Sequence, residues 1–175
     1  MKIFKLYLDK DEEEIWLNEM VSNGWALNNF FFGVYTFERC EENEFVYKID
    51  LMDSFSGTKS SMEYIKFVEE TGAEYVSSWG RWVFFRKPAS EGSFELYTDV
   101  DSQIRLYQKI RNMMGVVALL EFVIGFSQLH NLSQFNAGVG YYSLTGVIFL
   151  LGAGIGYAAL KAHNKVNSLR KQKVI

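Results

Sequence analysis

Two apolar stretches decide the fold of this chain: MMGVVALLEFVIGFSQL, residues 113–129, and YYSLTGVIFLLGAGIGYAAL, residues 141–160. Each is about as long as the helix of roughly 20 residues that crosses a bilayer core about 30 Å thick. Glu121 is the only formal charge within either stretch, and a chain of 175 residues has little other protein to bury them. The sequence therefore predicts a transmembrane helical hairpin over residues 113–160, with a turn-rich connection at residues 130–140.

Basic residues flank this hairpin on the outside and are absent from its connection. They are Arg105, Lys109 and Arg111 before the first stretch, and Lys161, Lys165, Arg170, Lys171 and Lys173 after the second. The positive-inside rule places both flanks in the cytoplasm. We therefore expect a two-span protein of the cell membrane with cytoplasmic N- and C-termini, in which residues 1–98 form a cytoplasmic domain and residues 161–175 a basic cytoplasmic tail.

Charge divides along the same boundary. Residues 1–98 contain 10 basic and 18 acidic residues, a net charge of −8, whereas residues 99–175 contain 8 and 3, a net charge of +5. The first part lacks the basic surface that binding to nucleic acid requires, so nucleic acid is not an expected partner. The lipid bilayer is the expected partner of the basic tail.

The first 98 residues repeat one pattern, at about residues 1–40 and 45–87. A strand, at residues 2–8 or 45–52, is followed by a helix and a hairpin. Corresponding residues recur at an offset of 43 to 48, as between Phe4 and Tyr47 or Gly24 and Gly72. Such an offset is typical of an internal duplication. We predict an α+β domain of two strand–helix–strand–strand modules, with both helices on one side of an antiparallel sheet.

Capping residues set the predicted helix boundaries. Asp9 with Glu12, and Ser60 with Glu63, have the spacing of capping boxes for the two module helices. Thr98 or Asp99 is expected to cap a third helix over residues 99–112. Neither proline nor glycine interrupts the chain from there to Gly115. This juxtamembrane helix is therefore expected to continue into the first span as a stiff connection.

Motifs spread over roughly residues 1–110 resemble the family called domain of unknown function 2812. They are Lys2-x-Phe4, Glu14-x-Trp16-Leu17, Gly24-Trp25-x-Leu27, Tyr35-x-Phe37, Tyr47-x-Ile49-Asp50, Tyr64, Gly72, Phe85-Arg86 and Leu96-Tyr97-x-Asp99. The resemblance implies a bacterial protein that continues into membrane helices and is encoded beside PadR-type regulators. The duplicated modules are also similar, at the level of the fold alone, to GyrI-like domains, whose groove between modules holds small apolar molecules.

Aromatic residues are concentrated before residue 98, where all four tryptophans lie. One interpretation is an aromatic core, since each large ring can bury about 150–250 Å². The other is a site for a small apolar or cationic ligand. For that site the candidate lining residues are Trp25, Trp79 and Trp82, and Glu38 or Glu74 would face a cationic ligand.

Glu121 is the strongest signal within the spans. A carboxylate at mid-span costs about 2.5–3.5 kcal/mol on insertion scales, so it should face protein. At helical spacing it shares a face with Gly125 and Gln128, and its depth corresponds to Gly152 in the second span. Gly152 and Gly156 have the GxxxG spacing that permits close helix contact. We predict these five residues to mediate assembly, either within the hairpin, in a homodimer or with another membrane protein.

No set of residues names a reaction. We find neither a Ser-His-Asp set nor a phosphate-binding loop nor zinc-ligand spacing, and no cofactor or metal is expected. The sequence favours a non-enzymatic, membrane-anchored sensor or regulatory protein whose aromatic domain binds a small ligand or a protein partner. The alternative is an accessory or immunity-type subunit of a membrane transporter or channel complex.

Overall fold

The computed structural model of this protein describes residues 1–135 and 139–173, and describes side chains there except at 131–135. The chain divides into two units, Met1–Thr98 and Asp99–Ile175. This division coincides with the predicted boundary between the domain and the helical part.

The first unit contains two modules of the same topology. The first is β1 (Lys2–Phe4), α1 (Lys10–Ser22), β2 (Trp25–Phe31) and β3 (Val34–Arg39); the second is β4 (Phe45–Leu51), α2 (Lys59–Glu69), β5 (Glu74–Trp79) and β6 (Trp82–Pro88), followed by a short 3-10 turn, Ala89–Glu91. Each module forms a three-stranded antiparallel sheet, in the orders β1-β3-β2 and β4-β6-β5. The predicted α+β class and module order are confirmed.

The two hairpins share an irregularity. Strand β2 has one extra residue opposite β3, at Asn28, and strand β5 has one extra residue opposite β6, at Val76. These positions are 48 residues apart, the same offset that separates Gly24 from Gly72. A β-bulge changes the direction of the side chains that follow it and is a specific feature of a strand. Two bulges at equivalent positions of the two modules are therefore not expected by chance. Its recurrence supports the duplication inferred from the sequence.

Two of the predicted boundaries were wrong. Strand β1 ends at Phe4 rather than residue 8, because its partner β3 begins at Val34, opposite Phe4, and offers no further strand to pair with. Helix α2 is capped by Thr58, whose hydroxyl accepts a hydrogen bond from Ser61 N at 3.2 Å, so Ser60 lies inside the first turn. The predicted cap of α1 is confirmed at Asp9, which accepts a hydrogen bond from Asp11 N at 2.7 Å.

Helix α1 packs into a core that both modules build. Its buried residues contact side chains of both sheets. The buried residues of this shared core are Leu17, Val21, Leu27, Tyr35, Phe37, Tyr47, Ile49 and Phe84. The helix also covers the edge of β4. Asn18 exchanges hydrogen bonds with the Tyr47 backbone, and Glu14 Oε1 accepts from Ile49 N at 2.8 Å. These side chains satisfy backbone groups that an edge strand otherwise leaves open.

Helix α2 packs on the other face of the second sheet. Its residue Val68 belongs to a second core with Val83 and Phe85, whereas Phe84 between them belongs to the first core. Successive residues of a strand point to opposite faces, so α1 and α2 lie on opposite faces of this sheet. The prediction of both helices on one side was wrong, because strand β6 is apolar and buried on both faces.

The two sheets meet where β2 and β5 lie side by side. The Ser77 hydroxyl accepts a hydrogen bond from Phe30 N at 3.1 Å and donates one to Asn29 Oδ1 at 3.0 Å. Farther along both strands, the rings of Phe32 and Trp79 are 5.4 Å apart. Contacts therefore run from Phe30 with Ser77 to Phe32 with Trp79, so residue numbers increase in the same direction along both strands. The two strands are parallel.

The second unit consists of α3 (Val100–Phe135) and α4 (Val139–Lys173). Both are long and apolar enough to cross a membrane, and only 11% and 17% of their most apolar 18-residue windows are buried. Helices of a soluble core would be mostly buried. The juxtamembrane helix is continuous with the first apolar stretch, as predicted, and Asp99 caps it by accepting a hydrogen bond from Ser102 N at 2.8 Å.

The helices extend beyond the predicted spans. Residues 130–135 and 139–140, predicted to be a connection, are helical, and residues 136–138 lie outside the described residues. The predicted tail is helical as far as Lys173, which forms an ion pair of 2.7 Å with Asp101 near the start of α3. Ile104, Val166 and Leu169 form a small core at this end. The two helices therefore pack against each other well past the apolar stretches.

Candidate functional site

The two predicted ligand carboxylates lie around one arginine. Arg86 Nε donates to Glu74 Oε2 at 2.8 Å, and Arg86 Nη1 lies 3.7 Å from Glu38 Oε1. Asn28 donates a further hydrogen bond to Glu38 at 2.7 Å. Glu38 belongs to the first module, whereas Glu74 and Arg86 belong to the second. The group therefore joins the modules, and both carboxylates already face a cation.

The face of Trp25 is similarly covered by a side chain of the protein. The Arg39 guanidinium carbon lies 3.9 Å from the Trp25 ring centroid, in the cation–π geometry that arginine commonly adopts. Arg86, the residue of the second module that corresponds to Arg39, lies 4.2 Å from the Phe45 ring in the same way. Trp25 thus belongs to the end of the domain that holds Glu38 and Glu74.

Trp79 and Trp82 lie at the other end of the second sheet. They are cross-strand partners beside the β5–β6 turn. Five residues separate Glu74 from Trp79 along β5, which corresponds to about 17 Å in an extended strand. The structure therefore brings the five predicted ligand residues into two groups and not into one site.

An exposed apolar surface surrounds the β2–β3 turn. Its residues, which we call the tip patch, are Phe4, Leu6, Phe31 and Phe32, each between 61% and 68% exposed. Phe32 has a φ of +43° and Gly33 one of +77°. A left-handed conformation costs an L-residue about 1–2 kcal/mol, and the second module has Gly80 at the position of Phe32. The fold thus holds an exposed aromatic residue in a strained turn.

A buried carboxylate forms an enclosed polar site in the domain. Asp50 is 1% exposed and accepts hydrogen bonds from the hydroxyls of Tyr64 and Tyr97, the latter at 2.9 and 3.0 Å. Burial, and then the charge of Asp50, raise the pKa of both tyrosines. Both hydroxyls therefore remain protonated donors at physiological pH. We call this group the Asp50 cluster.

The Asp50 cluster fastens the segment that leads to α3. Tyr97 lies three residues before that helix begins, and Phe94 and Leu96 of the same segment pack into the second core. Lys48 adds an ion pair of 3.2 Å to Glu95. Asp50, Tyr64 and Tyr97 occur among the sequence motifs, yet sequence analysis did not identify them as a site. They lie 14 and 33 residues apart, and the only local signal is an aspartate inside an otherwise apolar strand.

A second partly buried carboxylate lies at the start of α1. Glu13 Oε1 accepts a hydrogen bond from the Tyr35 hydroxyl at 2.6 Å. Burial raises the pKa of Glu13 to about 7, and the hydrogen bond from Tyr35 opposes that rise. This group consequently changes charge near neutral pH.

The titration of Glu13 predicts a pH dependence of stability. Because its folded pKa of about 7 exceeds the usual value of 4.5, its contribution to stability is complete below pH 4.5 and is lost as pH rises through 7. Glu13→Gln should remove this loss, so the variant should gain on the order of 1–3 kcal/mol relative to wild type between pH 5 and pH 8. Urea unfolding of the full chain in detergent, followed by Trp emission, measures the difference. Glu12→Gln, in an exposed neighbour, is the matched control; an equal gain there would contradict the assignment.

The predicted intramembrane residues meet along the contact between α3 and α4. A Cβ built on Gly152 would lie 3.1 Å from Glu121 Cβ, and one built on Gly156 would lie 3.8 Å from Ala118 Cβ. Gly125 contacts the Phe149 ring, which would lie 2.9 Å from a Cβ there. Gln128, three residues further along α3, is half-buried. The glycines of the GxxxG spacing therefore serve contact within the hairpin.

Glu121 itself is half-buried along this contact. Among the residues whose side chains the structure describes, 1–130 and 139–173, its carboxylate has neither a hydrogen bond nor an ion pair. Within the same ranges, no group of three or more His, Cys, Asp or Glu side chains is arranged to hold a metal ion. The polar chemistry of the described spans is thus confined to one carboxylate and a few hydroxyl and amide groups.

Comparison with known proteins identifies one family. The chain matches the model of the family described as "Protein of unknown function (DUF2812)" over residues 9–119. The match spans α1 to the first part of α3 and includes the whole Asp50 cluster. No curated protein and no solved structure matches the chain. The resemblance drawn from the sequence motifs is confirmed.

Proposed function

We propose, from the premise that this chain belongs to the DUF2812 family, that it is a non-enzymatic, membrane-anchored sensor or regulatory protein. In this proposal residues 1–98 bind a small apolar or cationic ligand or a protein partner. The bound state then changes the position of α3. The observation that carries the proposal is the Asp50 cluster, which fastens the segment before α3 to the second module.

Few residues along the chain separate the Asp50 cluster from the start of α3. Tyr97 is hydrogen-bonded to Asp50 in β4, Asp99 caps α3, and α3 continues without a break from Val100 to Phe135. A continuous helix transmits a displacement of its first turn along its length. A ligand that favours one arrangement of the second module would therefore favour one position of α3, as coupling through a two-state element requires.

The proposed location is the cell membrane, with both termini in the cytoplasm. The basic flanks of the two apolar helices support this orientation. In a Cys40→Ser background, a cysteine at exposed Gly140 should react with a membrane-impermeant thiol reagent added outside intact cells. A cysteine at exposed Gln172 should react only after the cells are opened. Labelling of Gln172→Cys from outside would overturn the orientation.

Hydrogen exchange of the full chain in lipid nanodiscs tests the sensor function. The probes are two apolar cations, tetraphenylphosphonium and ethidium, and the neutral dye Nile red. We expect at least one to slow exchange in the domain and also to change exchange in residues 94–103. In Tyr97→Phe, which removes one hydrogen bond to Asp50, the domain should keep its protection whereas the change in residues 94–103 should be lost.

Two outcomes would contradict the sensor proposal. One is a probe that protects the domain and leaves residues 94–103 unchanged. The other is a change in residues 94–103 that persists in Tyr97→Phe. Lys48→Met, which removes the ion pair to Glu95 but leaves the Asp50 cluster intact, is the matched control for loss of a contact to this segment.

Glu121 favours a second candidate, an accessory or immunity-type subunit of a transporter or channel complex. A half-buried carboxylate without a described partner is a suitable contact for another membrane helix. Purification in mild detergent distinguishes the two candidates. A stoichiometric membrane protein that copurifies with wild type and Glu121→Gln, but not with Glu121→Leu, would support the subunit. Equal recovery with all three chains would remove its main support.

A further inference from the structure

One ammonium group of the domain lies over two neighbouring aromatic rings. Lys5 Nζ is 4.6 Å from the ring centroid of Tyr7 and 4.6 Å from that of Trp16. The two rings are 5.5 Å apart and inclined at 38°. By contrast, Arg39 and Arg86 each cover a single ring. We call Tyr7 and Trp16 the aromatic cage.

The core holds the rings of the cage in place. Trp16, on α1, packs edge-on against Tyr35 at 4.8 Å and against Phe37 at 5.6 Å, and both of these residues are buried. Trp16 and Tyr7 are themselves half-buried against this core, and Lys5 Nζ lies over a face of each ring. Lys5 differs, because it is exposed and is anchored mainly by its backbone N–H, which donates to Gly33 O at 2.9 Å. The two rings are therefore held by the core, whereas Lys5, which now covers them, has a long and exposed side chain.

Acidic residues precede Trp16 on the same helix. The Tyr35 ring that supports Trp16 carries the hydroxyl that donates to Glu13. The first turn of α1 also contains Asp11 and Glu12. An ammonium ion is attracted both by the faces of aromatic rings and by nearby carboxylates, and aromatic cages are a known way to recognise quaternary ammonium groups. The faces of Tyr7 and Trp16 therefore favour a cation over a neutral molecule of the same shape.

We propose that the aromatic cage binds the ammonium group of a small organic cation, and that Lys5 occupies the cage until this ligand displaces it. The inference deepens the proposed sensor function by naming a ligand class and a site, and rests on that function only for what binding would cause. Neither residue of the cage belongs to the ligand set predicted from the sequence.

Competition by Lys5 makes a prediction of definite sign. While Lys5 occupies the cage, only the remaining fraction of molecules can bind a ligand, and the apparent affinity falls by that fraction. Occupancy for about 80–90% of the time weakens apparent binding about 5- to 10-fold. Removing the ammonium group of Lys5 should therefore strengthen the binding of a cationic ligand.

Isothermal titration of the full chain in nanodiscs tests this with choline and its neutral isostere 3,3-dimethylbutan-1-ol. Lys5→Met keeps an unbranched side chain without the charge, and should bind choline about 5- to 10-fold more tightly than wild type. Tyr7→Leu, alone or with Lys5→Met, should abolish choline binding. Lys2→Met, at an exposed lysine of the adjacent strand, is the matched control and should bind as wild type does.

The outcomes separate this proposal from the sensor function. It is overturned if Lys5→Met binds choline no better than wild type, if neither chain binds it, or if the neutral isostere binds equally well. Choline binding that leaves exchange in residues 94–103 unchanged would uphold the cage and count against its use in sensing. Conversely, suppose that tetraphenylphosphonium changes hydrogen exchange in residues 94–103 of wild type while neither wild type nor Lys5→Met binds choline. That result would uphold the sensor function and reject the cage.

Discussion

Gly152→Leu is expected to separate the two apolar helices where Gly152 faces Glu121. A Cβ at residue 152 would lie 3.1 Å from Glu121 Cβ, an atom fixed to the α3 backbone that no side-chain rotation can move away. Any larger side chain therefore requires the helices to move apart. This would remove the close backbone contact that small residues provide between membrane helices.

A disulfide measures the separation. In a Cys40→Ser background, Ala118→Cys and Gly156→Cys place two Cβ atoms 3.8 Å apart, within the range of about 3.5–4.5 Å that disulfides adopt. Mild oxidation in membranes should link them rapidly. Adding Gly152→Leu should slow the reaction about tenfold or more, which corresponds to at least about 1.4 kcal/mol if the slowing reflects the population of closed hairpins.

Gly146→Leu provides the control in the same helix. A Cβ at Gly146 meets no atom within 4 Å, so this substitution makes the same change in helix propensity and apolar volume without a clash. It should leave the cross-linking rate close to that of the parent. Equal rates for Gly152→Leu and Gly146→Leu would show that α3 and α4 do not pack as described.

Asp50→Ala is expected to cause a large loss of stability in residues 1–98. Hydrogen bonds to a charged group contribute about 1.5–3 kcal/mol each, and Asp50 accepts them from two tyrosine hydroxyls. Relief from burying the carboxylate offsets part of this sum. We expect a net loss of about 2–4 kcal/mol in the free energy of unfolding.

Trp emission during urea unfolding measures this loss in the full chain, because all four tryptophans lie in residues 1–98. Asp53→Ala, at an exposed acidic residue just after the end of β4, should change stability by no more than about 0.5 kcal/mol. The triple change Asp50→Ala, Tyr64→Phe and Tyr97→Phe should cost less than the sum of its parts, since the partners act as one group. A loss below about 1 kcal/mol for Asp50→Ala would mean that the cluster does not hold the segment before α3.

Local chemistry made part of the fold predictable. Strands β2 and β3 have the predicted bounds because Phe32-Gly33 forms a two-residue turn between two segments rich in aromatic residues. Asp9 caps α1 as predicted, since aspartate before an acidic first turn is a strong local signal. The predicted cap of helix α2 lies two residues after the observed one, because the hydroxyls of Thr58 and Ser60 can both cap a helix. The sequence offers no means to choose between them.

Long-range contacts were less accessible. Period-two alternation indicates which residues of a strand share a face, but β6 is apolar on both faces, so the position of α2 could not be fixed. Glu38 and Glu74 appeared to be available to a ligand, because nothing local reveals that Arg86 lies between them. The Asp50 cluster joins residues up to 47 positions apart, beyond the reach of any periodicity.

Contacts between the two apolar helices were more predictable than those in the domain. In a hairpin of two helices, the number of residues from the connection is enough to tell which positions lie at the same level. Counting residues from the connection places Glu121 level with Gly152, and the two positions face each other. The length of the connection was overestimated, because turn-forming residues such as Asn131 and Ser133 do not prevent a helix from continuing to Phe135.

The core shared by both modules has a consequence for synthesis of the chain. Leu17 of α1 needs Phe84 to complete its surroundings, and 67 residues separate them. At about 5–20 residues per second, the ribosome takes about 3–13 s to supply them. During that time an apolar helix face has emerged without its cover, whereas small α/β domains can fold in well under a second. Translation that stalls before residue 84 would leave this face open to chaperones, proteases and aggregation.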